Sequence, residues 1–188
     1  MTDETVLITG GSSGLGLETA KRLAAAGSTI VLTSRTEKGG IAVQSVKDYL
    51  IGKGVDTSKI YSLVLDLDSL DNVKQFSTAY KSLGLGDISI LINNAGCMAI
   101  PKRELTTDGN ERQFQSNHLG HFALTAELFP YFSRDGTKVI NVSSSASNIP
   151  GPKGWIWTIL TQRSRTLHGE HMVIPSWRMF FSQTSCKR

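Results

Sequence analysis

The stretch Val6-Leu7-Ile8-Thr9-Gly10-Gly11-Ser12-Ser13-Gly14-Leu15-Gly16 decides the fold. Four apolar or β-branched residues run straight into a glycine-rich turn. The residues that follow, Leu15 to Ala26, place Leu15, Thr19, Ala20, Leu23 and Ala24 on one face of a helix. Strand, glycine turn and helix in succession form the context in which such glycines bind a nucleotide. Gly10 permits the tight turn, Gly14 lets backbone approach a pyrophosphate, and Gly16 lets the helix pack close on the strand. The helix start offers unpaired N–H groups and a partial positive charge to phosphate. Ser12 and Ser13 add hydroxyl donors or cap the helix. The plainer alternative is an ordinary glycine-rich loop, and the flanking pattern argues against it.

Outward from this stretch the chain alternates. Strands are predicted at residues 29–34, 59–65, 87–92 and 137–143. Helices are predicted at 38–50, at 70–83 (through Leu70, Val73, Phe76, Tyr80 and Leu83) and at 110–132. Such alternation with apolar strands predicts an α/β fold, a Rossmann-type doubly wound parallel sheet. Residues 1–150 read as the dinucleotide-binding domain and 151–188 as an irregular basic tail, so the sheet is expected to be incomplete on its C-terminal side.

The net charge of +4 hints at nucleic acid, but its location argues against that partner. Residues 1–150 hold 14 basic and 15 acidic side chains; residues 151–188 hold six and one. The basicity belongs to the tail, which also carries Trp155, Trp157 and Trp177. No ordered basic groove accompanies those rings, so a stacking platform for bases is not expected. No apolar run approaches the ~20 residues of a membrane span, and the start Met1-Thr2-Asp3-Glu4 does not resemble a signal peptide. Two cysteines, Cys97 and Cys186, make no disulfide framework. A cytoplasmic location is the default expectation, and oligomeric state is not legible.

The end of the second strand should choose the cofactor. An acid about 20 residues after the glycines binds the ribose hydroxyl of NAD, whereas an arginine there accepts the NADP phosphate. Ser34 stands where the acid is expected and Arg35 follows, which favours NADP(H) over NAD(H). A solvated loop arginine is the alternative.

The chain resembles the short-chain dehydrogenases/reductases. Thr9-Gly10-Gly11-Ser12-Ser13-Gly14-Leu15-Gly16 is similar to their T-G-x-x-x-G-x-G motif, and Asn93-Asn94-Ala95-Gly96 to their N-N-A-G motif. By the same resemblance Asp66, followed by Leu67, is the acid that meets adenine. Asn117 is the asparagine and Ser144 the serine of the catalytic tetrad. Asn117 to Phe122 (N-H-L-G-H-F) and Thr106 to Gly109 (T-x-D-G) resemble the retinol dehydrogenase, WW-domain oxidoreductase and protochlorophyllide reductase branch. The resemblance covers residues 5–149. It implies hydride transfer between a nicotinamide and a small-molecule carbonyl or alcohol substrate. A tyrosine acts as proton donor and a lysine four residues later lowers its pKa. Ser144 would hold the substrate oxygen and Asn117 a relay water.

That Tyr-x-x-x-Lys pair is missing. The last tyrosine is Tyr131, ahead of the serine, and nothing in the sequence orients His168 or His171 to replace it. In the frame starting at each codon's third base, residues 168–177 permit Trp-Arg-Ala-Tyr-Gly-x-Ser-Lys-Leu, a segment like the family's. A frame-shifted reading departing near residues 151–157 would account for both the missing pair and the tail's composition; sequencing the transcript tests it. A non-catalytic cofactor-binding protein that meets a partner through its basic tail is the alternative. A third reading makes the tail a membrane-surface or nucleic-acid contact. The fifth strand is expected to be an exposed edge, with a short helix around Ile156, Ile159 and Leu160 as the most the tail could add. His118 and His121 sit at helical spacing, yet no third ligand accompanies them, so no metal site is expected and packing or hydrogen bonding explains them better. Cys97 reads as a buried small residue beside the cofactor loop.

Overall fold

The computed structural model describes residues 4–36, 38–98 and 100–143, and the backbone of 184–186. Ser144 and Ser145, the three tryptophans, His168, His171 and the segment around Ile156 lie outside the described residues. Among the described residues one sheet is formed by β1 (Thr5–Ile8), β2 (Thr29–Ser34), β3 (Ile60–Val64), β4 (Ile90–Asn93), β5 (Thr137–Asn141) and β6 (Thr184–Cys186). Their order is β3-β2-β1-β4-β5-β6, with the first five strands mutually parallel. Val6 of β1 sits opposite both Ile30 of β2 and Ile90 of β4. The connections therefore leave β1 in opposite directions, which makes its carboxyl end the switch point where α/β sheets open a crevice for a ligand.

Alternation along each strand sends side chains to two apolar layers. Val6, Ile8, Ile30 and Leu32 meet Ala20 and Ala24 of α1 (Gly14–Ala25) and Ala42, Val46 and Leu50 of α2 (Lys38–Ile51). Leu7, Val31 and Leu91 point the other way, onto Val73, Phe76 and Tyr80 of α3 (Leu70–Ser82) and Leu124 and Leu128 of α5 (Gly120–Leu128). Side chains cap two of the helices. Ser69 Oγ accepts from Asn72 N at the start of α3, and the Glu111 carboxylate accepts from Gln113 N and Phe114 N at α4 (Arg112–Phe114). Each such cap stabilises its helix by about 1 kcal/mol.

The doubly wound parallel sheet expected from the sequence is present, with three differences. First, α1 buries Gly16, Ala20 and Ala24, while Leu15 is 74% exposed. At 3.6 residues per turn, Leu15 falls about 100° off a stripe of small residues spaced four apart. Second, the helix predicted over 110–132 is interrupted. Between α4 and α5 lies a π-helical turn, Gln115–Leu119, and α5 runs into a 3-10 turn, Phe129–Tyr131, at Pro130. Third, β5 is not an edge. β6 pairs with it antiparallel, Thr137 opposite Cys186 and Val139 opposite Thr184. The unpaired N–H and C=O row of an edge strand is a template for another strand, and a short piece of the tail fills it. No helix among the described residues is long and apolar enough to cross a membrane.

Candidate functional site

The crevice at the carboxyl end of β1 is built by three segments that meet through backbone. In the first, Gly10 takes a left-handed φ of 63°, and a Cβ there would lie 2.9 Å from the Ala95 Cα. Gly16 approaches as closely: a Cβ would stand 2.6 Å from the Gly10 carbonyl and from Asn94 Nδ2. Gly16 thus packs the helix on the loop rather than on the strand. Gly14 differs. Its φ is 53°, yet nothing stands within 4 Å of where its Cβ would be. It is exposed at the first turn of α1, beside exposed Ser13 and Leu15 and half-buried Ser12. Ser13 caps α1 without a side-chain bond to the helix, and no acid stands in its first turn.

The second segment follows β4. Asn94 Nδ2 donates to the Thr9 carbonyl at 2.8 Å, and Thr9 Oγ1 accepts from Asn94 N and Ala95 N, each at 2.9 Å. The buried threonine ahead of the glycine loop therefore fixes the N-N-A-G backbone. Gly96 borders the third segment: a Cβ there would stand in ordinary contact with Asn117 Oδ1, at 3.4 Å.

That third segment is the π turn. Asn117 lies on it, and its amide clamps one residue at both backbone groups: Cys97 N donates to Oδ1 and Nδ2 donates to the Cys97 carbonyl, each at 2.8 Å. Half-buried Cys97 is held through its main chain, and burial raises its thiol pKa, a shift against thiolate chemistry. His121 is turned inward, with Nε2 2.8 Å from Thr9 Oγ1 and Nδ1 3.2 Å from the Asn117 carbonyl oxygen. Burial lowers its pKa to about 4; the Asn117 carbonyl opposes that shift and the charge of His118 adds to it. His118 is exposed, whereas His121 is buried with both ring nitrogens engaged by Thr9 and Asn117. Among the described residues no group of three metal-ligating side chains occurs.

Farther along the crevice, Arg35 follows β2 with its side chain 59% exposed, its Nη1 3.9 Å from Asp68 Oδ2. Ser34 is buried and its hydroxyl donates to the Thr36 carbonyl, closing the turn. Asp66 is positioned by its backbone N–H on Asn72 Oδ1 and accepts from Asp68 N through Oδ1. Leu67 is buried, and Gly120 brings α5 within 2.8 Å (taken at its would-be Cβ) of the Leu67 carbonyl. Asp68 receives Arg112 Nε at 2.8 Å. The T-x-D-G turn serves the scaffold, because Asp108 Oδ2 accepts from Leu70 N at 2.9 Å and from Gln115 Nε2 at 2.6 Å.

The structure brings together Gly10, Gly16, Asn94, Ala95, Gly96 and Asn117, and places Arg35, Asp66 and Leu67 after β2 and β3. Leu15 stands out in solvent. Sequence reasoning did not assign Thr9 or His121 to the site, although Thr9 opens the T-G-x-x-x-G-x-G motif and His121 stands within N-H-L-G-H-F.

The sequence pattern of the short chain dehydrogenases matches residues 4–158. The chain belongs to the short chain dehydrogenase family. It is 35% identical over 152 residues to a Streptomyces lividans protein named "Probable oxidoreductase", covering 81% of this chain and 48% of that one. Human polyprenol dehydrogenase is 34% identical over 149 residues, covering 76% and 43%. Among solved structures, a blue fluorescent protein from a metagenomic library, in complex with NADPH, superposes with a TM-score of 0.62 at 26% identity, covering 79% of this chain and 58% of that one. The chain thus spans about half the length of the curated relatives it matches.

Proposed function

We propose that this short chain dehydrogenase is an NADP(H)-dependent oxidoreductase of carbonyl or alcohol carbons, in the retinol dehydrogenase, WW-domain oxidoreductase and protochlorophyllide reductase branch. The observation that carries the reading is Gly14: exposed, left-handed, and with open space where every neighbouring glycine is filled. A backbone held that way at a helix start suits an approaching diphosphate. Gly10, Ser12, Ser13, Gly14, Leu15 and Gly16 form the cradle, the exposed Leu15 by its backbone N–H. Asp66 and Leu67 receive the adenine, and Asn94, Ala95 and Gly96 line the crevice beyond. Arg35 pairs with the 2′-phosphate; its loose, exposed contact with Asp68 leaves the guanidinium available for one. The NADPH bound to the metagenomic relative supports the same choice.

When bound, the cofactor supplies the hydride. Asn117 is the residue to hold a relay water, through the amide lone pair and N–H that its two bonds to Cys97 leave over. Ser144 holds the substrate oxygen. An alcohol substrate is supported by the human relative named polyprenol dehydrogenase. Proton transfer is the weak step of this polypeptide: no tyrosine follows Ser144, and Tyr80 is sunk in the core with its hydroxyl on the Gly86 carbonyl and its pKa pushed up to about 12 by burial. Residues 1–150 act as the dinucleotide unit, and 151–188 as a basic tail whose Thr184–Cys186 strand pairs with β5.

Calorimetry with NADPH and NADH, beside turnover on an aldehyde, ketone and retinoid panel, tests this. NADPH is expected to bind at least about tenfold more tightly than NADH (about 1.4 kcal/mol). Turnover is expected to be lower by about 100-fold or more than in members carrying the tyrosine, from the loss of acid–base catalysis. Folded protein that ignored both nucleotides would overturn the assignment.

A further inference from the structure

His121 is 6% exposed, and both its ring nitrogens are engaged. The Asn117 carbonyl can only accept, so Nδ1 carries the proton. Thr9 Oγ1 already accepts two backbone N–H groups, from Asn94 and Ala95, which fills both its lone pairs. Its own proton is left for Nε2 at 2.8 Å, against a rival acceptor, the Ile92 carbonyl, at 3.4 Å. One tautomer of the neutral ring matches every donor to an acceptor. A doubly protonated ring would aim its second N–H at an oxygen with no lone pair remaining.

We propose that His121 is a positioning residue: held as the Nδ1–H tautomer, it ties the π turn that bears Asn117 to Thr9, and through Thr9 to the backbone of Asn94 and Ala95, so that the three segments of the dinucleotide cradle move as one body. This rests on the reading of the cradle as a nicotinamide-dinucleotide site. The segments joined are far apart in sequence, Thr9 and His121 by 112 positions. Besides the ring, the turn reaches the crevice through the Asn117 amide on Cys97. Without the ring, the Thr9 hydroxyl and the Asn117 carbonyl lose partners in a buried place, and the segments relax apart. Binding a dinucleotide then has to gather them again.

The test uses the whole chain and a His121→Phe variant, which keeps a ring and removes both nitrogens. Histidine 15N spectra of the unmodified protein at neutral pH are expected to show His121 protonated at Nδ1 and bare at Nε2. In the variant, amide exchange at Asn94 and Ala95 is expected to speed up, and NADPH affinity to fall about tenfold. Unmodified protein with the proton on Nε2, or with both nitrogens protonated, overturns the proposal, and does so even if the variant fails to fold. A folded variant that binds NADPH as tightly as the unmodified protein overturns the positioning role alone. Folded, unmodified protein that binds neither NADPH nor NADH overturns the functional reading beneath it instead.

Discussion

At Gly10 and Gly16 a single methyl group collides with backbone, at 2.9 Å and 2.6 Å respectively. Neither obstacle is a flexible side-chain tip, except Asn94 Nδ2 at Gly16, so the loop itself must shift. Gly16→Ala is expected to cost about 1–3 kcal/mol of stability in urea unfolding, as overpacking does, and Gly10→Ala at least as much because its φ of 63° adds strain. Gly14→Ala separates stability from binding. It meets no neighbour, so about 1 kcal/mol of backbone strain is all it should cost, while NADPH binding measured by calorimetry should fall well beyond that. Arg35→Ser should leave the unfolding midpoint within error, because the contact with Asp68 is long and exposed. The same change should weaken NADPH about tenfold and leave NADH unmoved. His121 adds a pH dependence. Its folded pKa of about 4 lies below the ordinary 6.5, so the unfolded chain takes up the proton first. Stability from this group is complete above about pH 6.5 and declines as pH falls toward 4, by about 1.4 kcal/mol per pH unit. Urea titrations at stepped pH should show that decline, and His121→Phe should flatten it.

Among the elements, β1 to β5 and the first three helices are legible in the sequence because short apolar runs alternate with longer helical stretches. Val73, Phe76 and Tyr80 at helical spacing do form the buried stripe of α3, and the β2 boundaries fall where the β-branched run ends. The helix carrying Asn117 is not legible in the same way. Its apolar residues read as one helix, whereas the π turn coincides with tertiary ties: Gly120 pressed on the Leu67 carbonyl, the Asn117 amide bonded to Cys97 and the His121 ring bonded to Thr9. Such turns mark functional sites more often than chance. Leu15 misleads for a related reason. The helix buries glycine and alanine, and a pattern built on large apolar residues points to the wrong face. Asn117→Ala tests the element as a unit. It deletes both bonds to Cys97 and should cost about 1–3 kcal/mol, with exchange at the Cys97 amide rising before any change in β4.

For the whole molecule, the parallel sheet follows from alternation of strand and helix, whereas the pairing on β5 does not. Nothing in Thr184-Ser185-Cys186 announces a strand, and the antiparallel pairing exists because β5 has an open row of backbone groups. Removing residues 184–188 should expose that row and increase self-association, read by static light scattering against concentration. The cradle's span carries a further consequence, for synthesis. Its ties run from Thr9 to His121, across 112 positions, and contacts that distant form late. If the cradle binds a dinucleotide as proposed, a chain emerging from the ribosome presents its glycine loop early but has no firm foothold for one until His121 has cleared the exit tunnel. Cofactor capture is thereby deferred until nearly the whole sheet is made.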